Sequence, residues 1–464
     1  MRPLELTLVL LIAAAAVCLL AGRWPRTGRL LLAAVLLAAA AHAIFEGAHW
    51  QMIPAYAAAG ILCLAAWKPG GSRNRRLRFA AWTALPLASA SVLFSFLLPM
   101  FRLPAPTGPY PVGTSILYFK DPARIEDAAQ ASGSRRELMV QLWYPAEPSH
   151  NRLARYREPR ETNPFSSYQS VLRTNSRVDA PVASAGAPFP VILFNHSWRG
   201  RRTNDTFLTE ELASQGYVVA SIDHTYNASL VAFPDGRVVH GIASDEIDAP
   251  ESSTPERVRA VWNQELAKWV ADQRFVLDRL EAMNRAAGSP WSGRLDTNRS
   301  GAIGHSFGGA AATALCAEDR RVHAAVNLDG WFFGAIRERG PKQPLLAIDA
   351  DTAQGSETPS PDAKVEAVLD ETDAADTEAS LRRFGGYLLT VKGAAHLDFT
   401  DQPLVSPLRV LSHRGAIPAR RIQNIVRSYV VAFFDRTLRG EDPGILHAQP
   451  GPYAEASLKA WPAD

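Results

Sequence analysis

The most specific chemistry in this 464-residue chain is carried by Gly304-His305-Ser306-Phe307-Gly308-Gly309. The motif closes an apolar run, Ser300–Gly304, and opens an alanine-rich helical pattern. In that setting G-x-S-x-G makes a strained strand-to-helix turn. Glycines let strand and helix approach, the serine hydroxyl rises above the sheet, and the next amide, that of Phe307, faces a developing oxyanion. The chemistry is nucleophilic attack by Ser306 through a covalent intermediate, and it needs a base and an orienting carboxylate.

Where strand–turn–helix geometry presents the serine, acid and base follow it in the order Ser, acid, His. Four histidines follow: His323, His396, His413 and His447. His323 falls at a strand and His447 in a Pro/Gly-rich tail. His396, in Lys392-Gly393-Ala394-Ala395-His396 directly beyond the last apolar strand, is the expected base, with His413 as alternative. Asp329 ends the strand after the nucleophile strand, and Asp349 and Asp351 end the following one, so the acid stays open between these positions. A second oxyanion donor is expected from the loop after an early strand, Phe194-Asn195-His196-Ser197-Trp198-Arg199-Gly200, through the amide of Trp198.

Elements able to position these groups are legible in the apolar patterning. Pro190–Asn195 and Tyr217–Asp223 are near-continuous apolar runs separated by a short helical pattern around Phe207–Ser214, the signature of parallel strands covered on both faces. Ser300–Gly304, Val322–Leu328, Pro344–Ile348 and Tyr387–Val391 continue the series. Thr114–Phe119 and Glu137–Tyr144 predict an antiparallel pair, and Phe233–Val238 a hairpin at Asp235-Gly236. Long helices are expected at Pro255–Met283, capped by Thr254, and at Ala419–Leu438. The acidic stretch 351–379 lacks the spacing of a calcium loop and reads as a solvated excursion. The expectation is one large α/β domain with a mostly parallel sheet over 114–440, and a tail over 441–464.

The first hundred residues are different in kind. Apolar stretches at Leu6–Ala21, Leu30–Phe45, Gln51–Trp67 and Phe79–Phe101 have interiors free of Asp, Glu, Lys and Arg, and predict four membrane spans over residues 1–101, joined onward by a linker at 102–113. Basic residues gather in the first connector (Arg23, Arg26, Arg29) and the third (Lys68, Arg73, Arg75, Arg76, Arg78), so the positive-inside bias predicts those loops in the cytoplasm. A multi-pass cell-membrane protein with its large domain on the outer, periplasmic or extracellular, side follows. His42 is the only histidine within the predicted spans and reads as a packing residue, so the bundle is expected to act as an anchor.

The chain's formal charge of +3 is the sum of a basic first part, with nine basic and two acidic residues in 1–101, and a mildly acidic remainder. That distribution disfavours a nucleic-acid partner, and 47% apolar residues exclude a disordered chain. Cys18 and Cys63 fall within predicted spans and Cys316 stands alone outside them, so no disulfide is expected within the large domain.

Beyond the nucleophile motif, Thr107-Gly108-Pro109-Tyr110-Pro111-Val112-Gly113, Val140-Gln141-Leu142-Trp143-Tyr144-Pro145, Phe194 with His196, Leu328-Asp329-Gly330-Trp331 and His396-Leu397-Asp398-Phe399-Thr400-Asp401 occur in order. Over roughly residues 106–440 this set resembles the plasma and type II intracellular platelet-activating factor acetylhydrolases, a branch of the α/β-hydrolases. The resemblance implies an α/β-hydrolase fold and a serine carboxylic-ester hydrolase acting on short-acyl esters or short-chain and oxidised phospholipids. A general small-ester or polyester hydrolase, or a non-catalytic membrane-anchored scaffold, is the alternative. It implies Ser306 as nucleophile, Asp329 as acid, His396 as base, and the amides of Trp198 and Phe307 as oxyanion hole. No cofactor and no metal are expected; the partners are a small-molecule or lipid ester and the membrane. His-Ser-Trp-Arg-Gly replaces the family's usual His-Gly loop, and the acidic excursion is longer than usual.

Overall fold

Parallel strands need long crossovers, and the spacing of the apolar runs supplies them. The structure, a computed structural model, describes residues 1–21, 27–67, 73–128, 133–242, 255–334, 336, 340, 342–351, 375–448 and 450–462. The expectations for Arg23, Arg26, Lys68, Thr254 and most of the 351–379 excursion lie outside those residues, as does the side chain of Arg73. By packing, the chain divides into two compact units. One comprises Met1–Arg102 with Arg155–Arg173 and Leu404–Ser412, and the other comprises Leu103–Ala154, Thr174–Pro403 and His413–Asp464.

In the first unit, α1 (Pro3–Leu20), α2 (Thr27–Ala41), α3 (Ile53–Trp67) and α4 (Arg73–Leu97) bury small and aliphatic side chains against one another, among them Leu8, Ile12, Val35, Ala55, Leu62, Ala81 and Ala84. The first and fourth of these helices, the second extended through Gly47 and the third extended back to Trp50 are long and apolar enough to cross a membrane. One expectation needs correction. Helix α1 begins at Pro3 rather than with the apolar run at Leu6, so its first turn carries a fully buried carboxylate, Glu5.

The second unit is built on a mostly parallel sheet. Its strands are β1 (Val112–Ile125), β2 (Arg135–Pro145), β3 (Leu153–Arg155), β4 (Arg173–Val178), β5 (Phe189–Asn195), β6 (Val218–Asp223), β9 (Leu295–His305), β10 (Val322–Leu328), β11 (Leu345–Ala350), β12 (Gly386–Val391) and β13 (Ala456–Trp461), and a hairpin of β7 (Leu230–Ala232) and β8 (Val238–His240) stands apart. The sheet order is β13-β12-β11-β10-β9-β5-β6-β2-β1-β4-β3. From β6 to β12 every neighbouring pair is parallel, while β2 is antiparallel to β6 and to β1. β13 was not foreseen. The segment expected as a tail supplies an antiparallel edge strand, with Leu389 opposite Leu458.

Helices α5 (Thr206–Ser214), α6 (Pro255–Arg285), α7 (Phe307–Glu318) and α8 (Ala419–Phe434) connect or cover these strands. The stripe of α6 buries Leu266, Trp269, Val270, Val276, Leu277 and Leu280 in the main core. Helix α7 is buried throughout residues 307–316 in the main core, a setting that suits its run of alanines and Cys316. Register then decides where the chemistry sits. Asn195, Gly304, Asn327, Ala347 and Leu388 lie in one row across β5, β9, β10, β11 and β12. The loops beyond that row leave the sheet at the C-terminal strand ends, where open α/β sheets bind their ligands.

Candidate active site

Two residues past Gly304, Ser306 takes φ 56° and ψ −126°, a conformation that costs a non-glycine residue of order 1–3 kcal/mol and that the surroundings enforce. Its amide donates to Leu328 O at 2.8 Å, tying the turn to β10, and its carbonyl accepts from Gly309 at 2.8 Å and Ala310 at 3.2 Å as α7 begins. The motif glycines are required by contact. A Cβ on Gly308 would overlap the carbonyl oxygens of Asn195 and His196, and one on Gly304 would overlap the backbone of Gly308.

Asp329 stands two residues past Asn327, also at positive φ (55°). Its amide donates to Ile348 O at 2.8 Å, and Oδ1 accepts from Ala350 N at 2.7 Å. Asn327 clasps the turn, accepting from Gly330 N at 2.9 Å and donating to Gly330 O at 2.8 Å. Asp329 Oδ2 lies 2.6 Å from His396 Nδ1. Burial works against the Asp329 carboxylate, but the hydrogen bond and charge of His396, with the Ala350 amide, outweigh it and hold the pKa below the ordinary value. Of the histidines and acids weighed from sequence, His396 and Asp329 meet at hydrogen-bond distance. His323 is exposed on β10, and His447 bonds Arg436 at 2.7 Å.

His396 opens a tight turn, His396–Phe399, that other residues of its motif hold in place. Asp398 Oδ2 accepts from Ala395 N and Gly415 N, both at 2.8 Å. Asp401 accepts from Thr206 N at 2.8 Å and Phe207 N at 3.1 Å, capping α5 where a carboxylate meets the positive end of the helix. His305 was not expected to matter. Its Nε2 donates to the His396 carbonyl at 2.8 Å and its ring lies 4.5 Å from the His396 ring. Burial, then the neighbouring His396, push the His305 pKa down to about 3, so it stays neutral.

The loop after β5 is held from beneath. His196 donates through Nδ1 to Ser197 O at 2.7 Å, its Nε2 accepts from His224 N at 3.2 Å, and burial above all pushes its pKa to about 3. Arg199 N donates to Asn227 O at 3.0 Å, and Gly200 N to Ser197 O at 2.7 Å. Under this loop His224 bridges Asp272 Oδ2 (2.9 Å) and Asn195 Oδ1 (3.1 Å), and Arg136 grips both Asp272 oxygens at 3.1 and 2.6 Å. Trp269 stacks on His224, centroids 3.8 Å apart, and meets Phe307 edge-on at 4.9 Å. Trp198 meets Phe307 edge-on at 5.4 Å, bringing the two expected oxyanion residues side by side; neither amide donates to a backbone carbonyl among the described residues. Asp272 carried one legible signal: a charge between Trp269 and Val276 in the buried stripe of α6.

A model of the family described as platelet-activating factor acetylhydrolase, isoform II, matches residues 98–442. A probable 1-alkyl-2-acetylglycerophosphocholine esterase of Arthroderma benhamiae is 25% identical, over 79% of this chain and 96% of that protein. A platelet-activating factor acetylhydrolase of Cavia porcellus is 23% identical over 54% of this chain and 58% of its own length. Among solved structures, a ferulic acid esterase from Streptomyces cinnamoneus superposes with a TM-score of 0.61 at 32% identity, covering 77% of this chain and 99% of its own.

Proposed function

As a member of the platelet-activating factor acetylhydrolase isoform II family, this chain is a serine ester hydrolase, and we propose that Ser306, Asp329 and His396 are its catalytic residues, acting on short-acyl esters that include short-chain or oxidised phospholipids. The observation that carries the assignment is the 2.6 Å contact of His396 Nδ1 with Asp329 Oδ2. An ionised acid at Nδ1 holds the imidazole in the tautomer whose Nε2 accepts a proton. Nε2 takes the Ser306 hydroxyl proton as Oγ attacks the ester carbonyl. The amides of Trp198 and Phe307 receive the tetrahedral oxyanion, each donor contributing about 3 kcal/mol. His396 then returns the proton to the leaving alcohol, and water, activated by the same ring, releases the acyl group.

Four apolar helices support a membrane anchor in residues 1–101, and basic residues such as Arg29, Arg75, Arg76 and Arg78 support an outer location for the hydrolase unit. Anchoring favours amphiphilic substrates by raising their local concentration. A second reading, hydrolysis of aromatic esters, is favoured by Trp198, Trp262, Phe307 and Phe333, whose rings lie 4.8–6.5 Å apart.

The test labels the intact protein with a fluorophosphonate and compares p-nitrophenyl acetate, longer p-nitrophenyl esters, a feruloyl ester and an sn-2-acetyl phospholipid. Labelling at Ser306 with preference for the acetyl substrates is expected. Failure to label overturns the catalytic assignment, and preference for a long acyl chain overturns the short-acyl reading. A reporter fused after Phe101 that works only in the cytoplasm overturns the topology.

A further inference from the structure

Glu5, His42, Glu46 and His49 converge at the end of the helical unit where α1 begins, α2 has ended, α3 is about to begin and α4 finishes. The side chains of Glu5, His42 and His49 are almost fully buried. His49 Nε2 lies 3.1 Å from Glu5 Oε1, and His42 Nε2 lies 3.9 Å from the same oxygen and 3.8 Å from Glu46 Oε2.

Hydrogen-bond accounting decides what these atoms offer. Gln51 Nε2 donates to Leu98 O at 3.1 Å, which fixes the amide and leaves Gln51 Oε1 facing His49 Nδ1 at 2.9 Å. Oε1 can only accept, so Nδ1 carries the proton and Nε2 of a neutral His49 turns a lone pair toward a carboxylate oxygen. That arrangement repels unless a cation or proton stands between them. His42 presents its Nε2 lone pair in the same way, although there Arg2 already supplies a donor. Its Nδ1 is held by Tyr56 Oη at 2.6 Å, and the guanidinium of Arg2, which can only donate, lies 3.5 Å from Nε2. Glu46 Oε1 accepts from Leu4 N at 3.0 Å, whereas its buried Oε2 has no hydrogen-bond partner among the described residues. Arg2 donates to both Glu5 oxygens, at 2.7 Å through Nε and 2.9 Å through its amide, and so offsets one of the two carboxylates.

The geometry points to a zinc site formed by Nε2 of His42 and His49 with Glu5 Oε1, and Glu46 Oε2 as fourth donor. Two imidazoles with carboxylates are borderline ligands suited to zinc rather than to calcium or magnesium. Bonds of about 2.0–2.1 Å in a tetrahedron put ligand atoms about 3.3 Å apart, close to the distances observed. The partners at each Nδ1 are the outer-sphere contacts that aim metal-bound imidazoles. Position in the chain hid this site from sequence reading, which expected no metal: Glu5 precedes the first apolar run and the other donors are some forty residues away. A zinc ion here would lock the ends of α1, α2 and α3 together. The site is independent of the ester-hydrolase chemistry.

The test uses the full chain in detergent with a C-terminal, histidine-free affinity tag, grown with zinc and then exchanged into metal-free buffer. Zinc per chain is read by mass spectrometry, and affinity by chelator competition. One zinc per chain is expected, falling to background in His49→Ala and in Glu5→Gln, with cobalt(II) giving the visible bands of a four-coordinate centre. Tyr56→Phe, which keeps all four donors and the aromatic packing, is expected to weaken zinc affinity about 10- to 100-fold. Three results overturn the proposal: no zinc above background in the intact chain, zinc retained by both ligand variants, or, should those variants not fold, unchanged affinity in Tyr56→Phe.

Discussion

The two sides of the candidate active site differ in how far the groups proposed to act there are exposed. On the acid–base side, His396 is 48% exposed and Asp329 16% exposed. On the side proposed to receive the oxyanion, Asn195, His224 and Asp272 are completely buried and Arg136 nearly so. A group that exchanges protons with substrate and water must stay in contact with them. An amide that receives an oxyanion must be immobile beforehand, because its value lies in needing no reorganisation during reaction. The sealed side therefore concentrates stability and the open side concentrates chemistry, and substitutions on the two should separate activity from folding.

The largest effect is expected at Ser306. Ser306→Ala should lower kcat on the order of 10^6-fold, with thermal unfolding changed little; a serine variant that retains activity places the nucleophile elsewhere. Asp329→Asn should cost about 10^4-fold in kcat by leaving His396 in the wrong tautomer. The lowered pKa of Asp329 has a second readout. Its contribution to stability is present above the unfolded value of about 3.9 and is lost as pH falls through the folded value, so Asp329→Asn should flatten the acid limb of a stability–pH curve. Within the range where the parent is folded, kcat/KM should show one acid limb, belonging to His396. A second limb from Asp329 would break the contrast between the two sides.

The sealed side should answer in stability first. Burial opposes the Asp272 charge, and Arg136 with His224 overcomes it, holding the carboxyl well below its usual range. Arg124 also reaches Asp272 Oδ1 at 2.8 Å and Glu126 also pairs with Arg136, so removing one partner weakens the network without stranding its charges. Asp272→Asn or Arg136→Met should destabilise by about 1.5–3 kcal/mol in denaturant unfolding, while activity well below the transition falls far less than in Asp329→Asn. A stable but inactive Asp272→Asn protein would erase the contrast between the two sides. The smallest effect is expected at His305, which supports the acid–base side through the His396 carbonyl. His305→Phe removes one hydrogen bond, net about 0.5–1.5 kcal/mol, and should lower kcat several-fold; an unchanged kcat would show that the carbonyl contact does not position the base.

Much of this site was legible because local rules write it into short stretches. G-x-S-x-G between an apolar strand and a small-residue helix announces its own backbone strain, and Ser306 adopts it. Continuous apolar runs announced β5, β6, β9 and β10, although the ends of β1 and β9 were set too short and β13 went unseen, since Ala456–Trp461 pairs at an edge and half its residues face outward. The choice between Asp329 and Asp349 or Asp351 was beyond spacing alone. All three end strands of one parallel array, and only the register of β10 and the turn clasped by Asn327 send Asp329 to His396.

What the sequence determined by itself is the inventory: an apolar, basic-looped first hundred residues, an α/β alternation, and a serine presented by its own turn. These follow from patterns closed within a few residues, where backbone sterics and amphipathic period suffice. What only the tertiary structure decided is company. Arg136 meets Asp272, Asp401 caps α5, and Glu5 meets His42 and His49 across separations of 136, 195, 37 and 44 residues. Such pairings are set by burial, which leaves a polar group no partner but the one the fold brings, and no local period encodes that.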